Sequence, residues 1–144
     1  MMLVDANLLI YAVDADSPHH EQVRAWWEAL LSGPDNVGLP WLVLLAFVRI
    51  TTHARIMQHP LAVDDALEYV ERWLSVPGVT VVDAPPGMYP QLAAGLRTSG
   101  TGGNLTNDTF LAVLARALDA ILCSADNDFR RFNHLKYFNP VSGF

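Results

Sequence analysis

The sequence predicts an α/β fold with a mostly parallel central sheet of four to five strands and helices on both faces. Three observations point there. Short apolar runs alternate with longer segments whose apolar residues recur at helical spacing. An acid follows the first run (Asp5) and another lies just past the last convincing one (Asp126), where open α/β sheets gather their ligands. Hydrophobic residues make up 51% of the 144-residue chain, enough for one sizeable core and too many for a disordered chain. Residues 1–144 read as one domain without repeats or low-complexity stretches.

Met2–Val4 is the first strand, and a helix starts near Asn7 and runs through the apolar stretch to Val13. Ser17 and Pro18 look like a helix start, a hydroxyl cap followed by proline at the first helical position. Val23, Trp26, Trp27, Leu30 and Leu31 mark the buried face of that helix, and Ser32–Asn36 ends it. Val37–Leu39 is a second strand. Pro40 opens a helix from about Trp41 to Ala54 that is apolar nearly all round, so it is either deeply buried or covered by a partner chain. Val63, Ala66, Leu67, Val70, Trp73 and Leu74 give an amphipathic helix with Asp64 and Asp65 in its first turn. Val79–Val82 is the third strand, followed by a helix from about Met88 to Thr98. The Gly-rich segment Ser99–Asn104 leads into a buried helix from Thr106 or Asn107 to Leu118. Ala120–Cys123 is the fourth strand, and Lys136–Phe138 suggests a fifth.

The lone cysteine, Cys123, excludes an intrachain disulfide and a cysteine-based zinc site, and fits a reducing, cytoplasmic setting. The N-terminus lacks the basic region and cleavage pattern of a signal peptide. The apolar stretch Leu39–Phe47 is too short to span a bilayer, which takes roughly 20 residues. The formal net charge of −6 argues against a broad nucleic-acid-binding surface.

Four acids can converge. If the first and fourth strands are neighbours, Asp5 and Asp126 share one rim of the sheet, Asp108 approaches from a helix N-terminus, and Asp128 follows Asp126 closely. Taken singly, each has a structural use: a turn former, a dipole-compensating helix residue, a solvated turn. Taken together, they repel one another and persist only if protonated or neutralised by a cation. Oxygen-only ligands select hard ions, Mg²⁺ with Mn²⁺ as the usual substitute, and point to metal-dependent phosphodiester hydrolysis. Arg49, a cation on an apolar helix, either snorkels or reaches the acid rim as a phosphate contact. Arg130 and Arg131 adjoin the acidic loop and could hold a nucleic-acid backbone. Ser124 could bond a neighbouring carboxylate, a substrate phosphate or its own turn.

The segments "LVDANLLIYAVDADSPHH", "GLPWLVLLAFVRITT", "GNLTNDTFLAVLA" and "CSADNDFRRF", in that order, resemble the PIN-domain ribonucleases, and more closely the VapC toxins of toxin–antitoxin pairs. The resemblance implies a three-layer α/β/α fold and endoribonuclease activity at a Mg²⁺ or Mn²⁺ site. It also implies a VapB-type antitoxin whose tail blocks that site, and a homodimer. Asp5, Asp108 and Asp126 match the family's acids and would hold the metal, with Asp128 as an accessory catalytic residue. Arg49, Ser124 and Arg130 would contact substrate. One position departs: Ala46 stands where many relatives carry a glutamate, so the helix would present Ala46, Arg49 and His53 to the site. A second reading follows from that departure, a PIN-like domain that binds RNA or protein with weak or no turnover. A phosphatase of the haloacid-dehalogenase type, a third reading, needs a second aspartate two residues after the first, where this chain has Asn7.

Overall fold

A computed structural model describes residues 1–144. Five parallel strands form one sheet in the order β3-β2-β1-β4-β5: β1 Met2–Val4, β2 Val37–Pro40, β3 Val79–Val82, β4 Ile121–Cys123 and β5 Tyr137–Phe138. The helices are α1 Ala6–Val13, α2 His20–Ser32, α3 Trp41–Thr51, α4 Val63–Ser75, α5 Tyr89–Ser99 and α6 Leu105–Ala117, with a 3-10 helix over Asn127–Arg131. Right-handed connections carry the first two crossovers the same way along the sheet and set α1–α4 on one face. The third reverses, passing from β3 beyond β1 to β4, and sets α5 and α6 on the other. Packing agrees: α1 lies against α2 and α3, α3 against α4, and α5 against α6.

Strand β1 is central and fully apolar where it is buried, with Leu3 and Val4 inaccessible between β2 and β4. Gly38 lets neighbours pack closely on β2: a Cβ there would stand 2.8 Å from the Met1 sulfur and 3.1 Å from Val82 Cγ1, so both side chains would have to shift. On the α1–α4 face, Trp27, Phe47 and Trp73 join three helices through edge-on aromatic contacts, with ring centroids 5.6 Å (Trp27–Trp73) and 4.9 Å (Phe47–Trp73) apart.

Element boundaries differ from the sequence reading where side chains compete for backbone groups. Asp5 itself caps α1, accepting from the Ala6 N–H at 2.7 Å, so the helix starts one residue before Asn7. Ser17 and Pro18 form a turn, not a helix start: the Ser17 hydroxyl accepts from His19 N–H and its carbonyl from His20 N–H, and α2 begins at His20. Helix α3 stops at Thr51, three residues short of Ala54. Thr51 and Thr52 turn their hydroxyls back onto the carbonyls of Phe47 and Val48, a bonding that weakens a helix end. Helix α6 begins at Leu105 and ends at Ala117. Helix α3, apolar except for Arg49 and Thr51, buries Val43, Leu44 and Phe47 but leaves Trp41 and Leu45 exposed at 53% and 66%. No helix is long and apolar enough to cross a membrane.

Candidate active site

After β1 the chain turns toward β2; after β4 it turns the other way, toward β5. The crevice between two such strands is where open α/β sheets bind ligands. Asp5 leaves the end of β1 and Ser124 the end of β4, with the Asp5 N–H donating to the Cys123 carbonyl at 2.9 Å. A cavity of about 200 Å³ opens above them, lined by Asp5, Asn7, Ala46, Arg49, Asp108 and Asp126 among others.

Ser124 is the hub. Its side chain is inaccessible to solvent, and its hydroxyl makes every bond open to it. It donates to Asp5 Oδ2 at 2.7 Å and accepts from Asn7 Nδ2 at 3.0 Å and the Asp126 N–H at 3.1 Å. Asn7 closes the ring by accepting from the Ala125 N–H at 3.2 Å. Ser124 therefore orients Asp5 and has no free lone pair or proton for substrate, which corrects its expected role as a substrate contact. Burial raises the Asp5 pKa, and the charge of Asp126 adds to this; the bonds from Ser124 and Ala6 pull the other way.

Asp108 lies in the first turn of α6 and is partly exposed. Its pKa is pushed up to about 6 by burial first, then by the charges of Asp5, Asp126 and Asp128, while Arg131 opposes the rise. Asp126 caps the 3-10 helix, its Oδ1 accepting from the Asp128 N–H at 2.9 Å. Asp128 is exposed and lies outside the cavity lining; its charge reaches Asp108, but its known bond is through its backbone.

The flanking cations separate. Arg49 lines the acid cavity beside Ala46. Arg130 is drawn away: its guanidinium lies 5.3 Å from the Tyr137 ring centre and donates to the Phe144 carbonyl at 3.2 Å. Arg131, not Arg130, is the cation whose charge acts on Asp108. His53 falls beyond the end of α3, where its Nδ1 accepts from the Arg55 N–H, so it does not join Ala46 and Arg49.

Three supports were silent in the sequence. Asn7 looked like ordinary helix-start chemistry. The Tyr137 hydroxyl lies 2.9 Å from the carbonyls of both Ser124 and Asp126, and burial pushes its pKa up to about 12, so it stays a donor. Asn139, buried, donates to the Ala125 carbonyl at 3.2 Å and to Asn127 Oδ1 at 3.0 Å. Neither residue carries a motif; both are placed by β5.

No three His, Cys, Asp or Glu side chains stand ready as a closed metal cage. Asp5, Asp108 and Asp126 instead share one cavity, where neighbouring charge adds to burial in raising the proton affinity of Asp5 and Asp108. That donor set suits a hydrated hard ion held by one or two carboxylates and by water, as Mg²⁺ prefers, rather than a dry cage.

The model of the PIN domain matches residues 2–135. The chain belongs to the PIN-domain family. Among curated relatives of this PIN domain, ribonuclease VapC33 of Mycobacterium tuberculosis is 40% identical over 142 residues, covering 98% of this chain and 99% of the relative. Ribonuclease VapC37 of the same organism is 41% identical over 140 residues, 97% of each. Among solved structures, VapBC2 from Rickettsia felis bound to a fragment of its promoter DNA superposes with a TM-score of 0.67. It has 20% identity and covers 96% of this chain and 97% of that one. VapC20 of M. tuberculosis, a toxin that cleaves the sarcin–ricin loop, gives a TM-score of 0.67 at 17% identity, covering 94% and 99%. These two structures establish the shared fold.

Proposed function

We propose that this PIN domain is a metal-dependent endoribonuclease and the toxin of a toxin–antitoxin pair. The observation that carries the reading is the convergence of Asp5, Asp108 and Asp126 on one cavity at the β1/β4 crevice. The near-full-length relatives named as VapC ribonucleases support it.

Asp5, Asp108 and Asp126 would hold Mg²⁺, or Mn²⁺ in its place, directly or through water. Bound there, the ion supplies Lewis acidity toward water and neutralises charge on a phosphate. The remaining work falls to the chain. Ser124 and the Ala6 N–H fix Asp5 against rotation, so one carboxylate is aimed before substrate arrives. Asp126, steadied by the Asp128 N–H, lies on the same cavity wall and orients the attacking water. Arg49 offers a guanidinium to the scissile phosphate from the far wall. Water oxygen bonds to phosphorus, one bridging P–O bond breaks, and the proton from water ends on the departing oxygen.

The partners follow the same reading. A VapB-type antitoxin would cover the site, and exposed Trp41 and Leu45 on α3 offer an apolar face to a second copy of the chain. A groove between α1, α2 and α4, lined by Trp27, Tyr69 and Trp73, offers the antitoxin a further, largely apolar surface. The reading places the pair in the cytoplasm. Ala46 removes a ligand from the α3 wall without closing the cavity, so the reading of a domain without turnover is not favoured.

The test is RNA cleavage by purified, antitoxin-free protein, with Mg²⁺ or Mn²⁺ and with chelator. Metal-dependent cleavage by wild type and none by Asp5→Asn is expected. Equal, metal-independent rates for the two would overturn the reading.

A further inference from the structure

A second cavity, of about 500 Å³, lies between α5, α6 and the segment after the 3-10 helix. That volume is within the usual range of small-ligand sites, roughly 300–1,000 Å³. Arg116, Arg131, Thr98, Ser99 and Phe132 line it, and no acid does. In a chain with a net charge of −6, two guanidiniums on one acid-free hollow make a local positive site. Neither arginine is spent on a carboxylate: the ion-paired cations are Arg24, Arg72, Lys136 and two histidines. Arg116 is steadied by donating one Nη1 bond to the Asn133 carbonyl at 3.2 Å, which leaves its other donors free. Arg131 is steadied over the Phe132 ring, 5.3 Å from its centre.

The hollow is tied to the acid rim in two ways. Arg131 lines it and stands on the 3-10 helix that Asp126 caps. Its floor is fixed to the same helix turn that carries Asp108. Gly95 lets α5 approach α6 so closely that a Cβ there would stand 2.9 Å from Cγ2 of Thr109. A chain of phosphates passing the acids would find its next cations here.

We propose that this cavity is a subsite for one nucleotide of the RNA strand flanking the cleaved bond. Its phosphate lies between Arg116 and Arg131, and its sugar packs at the edge of Phe132. Guanidiniums contact phosphate through several parallel donors, and the Ser99 hydroxyl can add a neutral bond. The inference rests on the reading of the site as a ribonuclease. It adds where the strand runs: from the acid cavity toward the α5–α6 face.

Two variants probe it without touching the acids. Arg116→Gln removes a cation, and Ala94→Glu puts a carboxylate on the exposed lining. Arg131→Gln is a poorer probe, because that charge also acts on Asp108. Arg55→Gln, exposed and outside both cavities, is the control. Binding of a short fluorescein-labelled single-stranded RNA of mixed sequence is measured against salt in chelator, and cleavage of the same RNA with Mn²⁺. The expected result is binding weakened about tenfold by either variant, with the slope of log affinity against log salt flattened by about 0.7, the value for one lost phosphate contact on a single strand. KM rises with kcat nearly unchanged, Arg55→Gln behaves as wild type, and all variants keep the wild-type melting temperature within a few degrees. Unchanged affinity and slope in both variants, with wild-type cleavage intact, would overturn the subsite and leave the ribonuclease reading standing. Binding of inorganic phosphate or a mononucleotide in the hollow without any change in RNA affinity also overturns it. A wild type that neither binds nor cuts RNA sinks both.

Discussion

Asp5 and Asp108 face one cavity, yet they are held in opposite ways. Asp5 is clamped by a hydroxyl and a backbone N–H, and the hydroxyl is itself saturated by Asn7 and Asp126. Asp108 is placed only by its helix; burial and neighbouring charge act on it, and no hydrogen bond contributes to its raised pKa. One half of the site is built in advance. The other is left under electrostatic tension that a divalent cation would relieve. On the proposed reading, a three-residue strand would aim one carboxylate in advance while the facing helix would adjust to an ion.

Removing the clamped acid breaks the comparison most severely. Asp5→Asn is expected to cut RNA cleavage by well over about 100-fold, beyond the 10–100-fold typical of losing an outer-shell support; single-turnover rates with Mn²⁺ check it. The support comes next. Ser124→Ala leaves the half-buried Asn7 amide and Asp126 N–H without their partner, an expected loss of about 1 kcal/mol in total, since water can reach both donors. Urea unfolding should show that loss, with cleavage reduced by about 10–100-fold.

The unclamped half shows itself through pH. Asp108 and Asp5 both have folded-state pKa values above the usual carboxylate value. Between pH 4 and about 6 the folded chain therefore binds more protons than the unfolded one, and stability falls as pH rises through that window. Without divalent ions, the melting temperature should rise when pH drops from 7 to 5. Mn²⁺ should stabilise the protein at pH 7 and much less at pH 5, where protons compete for the same oxygens. Thermal melts at the two pH values, with and without Mn²⁺, read this directly. The smallest effect belongs to Asp128→Asn. Its side chain is exposed and its bond to Asp126 is through the backbone N–H, so less than about a fivefold change in cleavage rate is expected, matching the roughly 1 kcal/mol upper end of an exposed charge effect.

The same contrast governs what the letters alone could reveal. The strand run Met2–Val4 ending on Asp5, and the run through Cys123 leading to Asp126, were legible because period and composition mark buried strands, and their adjacency placed the acids together. Asp108 was legible as an acid in a helix's first turn. The clamp was not: Asn7, Ser124, Tyr137 and Asn139 meet over sequence separations of more than 100 residues or through a two-residue edge strand. Arg130 and Arg131 could not be told apart, since adjacent residues on a 3-10 turn point in different directions; Tyr137 and the last carbonyl of the chain took the first. The exposed face of α3 was readable as excess apolarity, but which of its residues lie outward depends on the helices packed against it.

The central claim, that the clamped and unclamped acids together form one cation site, is met most directly by titrating Mn²⁺ into the metal-free protein at pH 7 and following heat or the loss of the free-ion spin signal. Saturable binding by wild type, lost in both Asp5→Asn and Asp108→Asn and retained in Arg55→Gln, is the expected result. Undiminished Mn²⁺ binding in either aspartate variant would contradict the account.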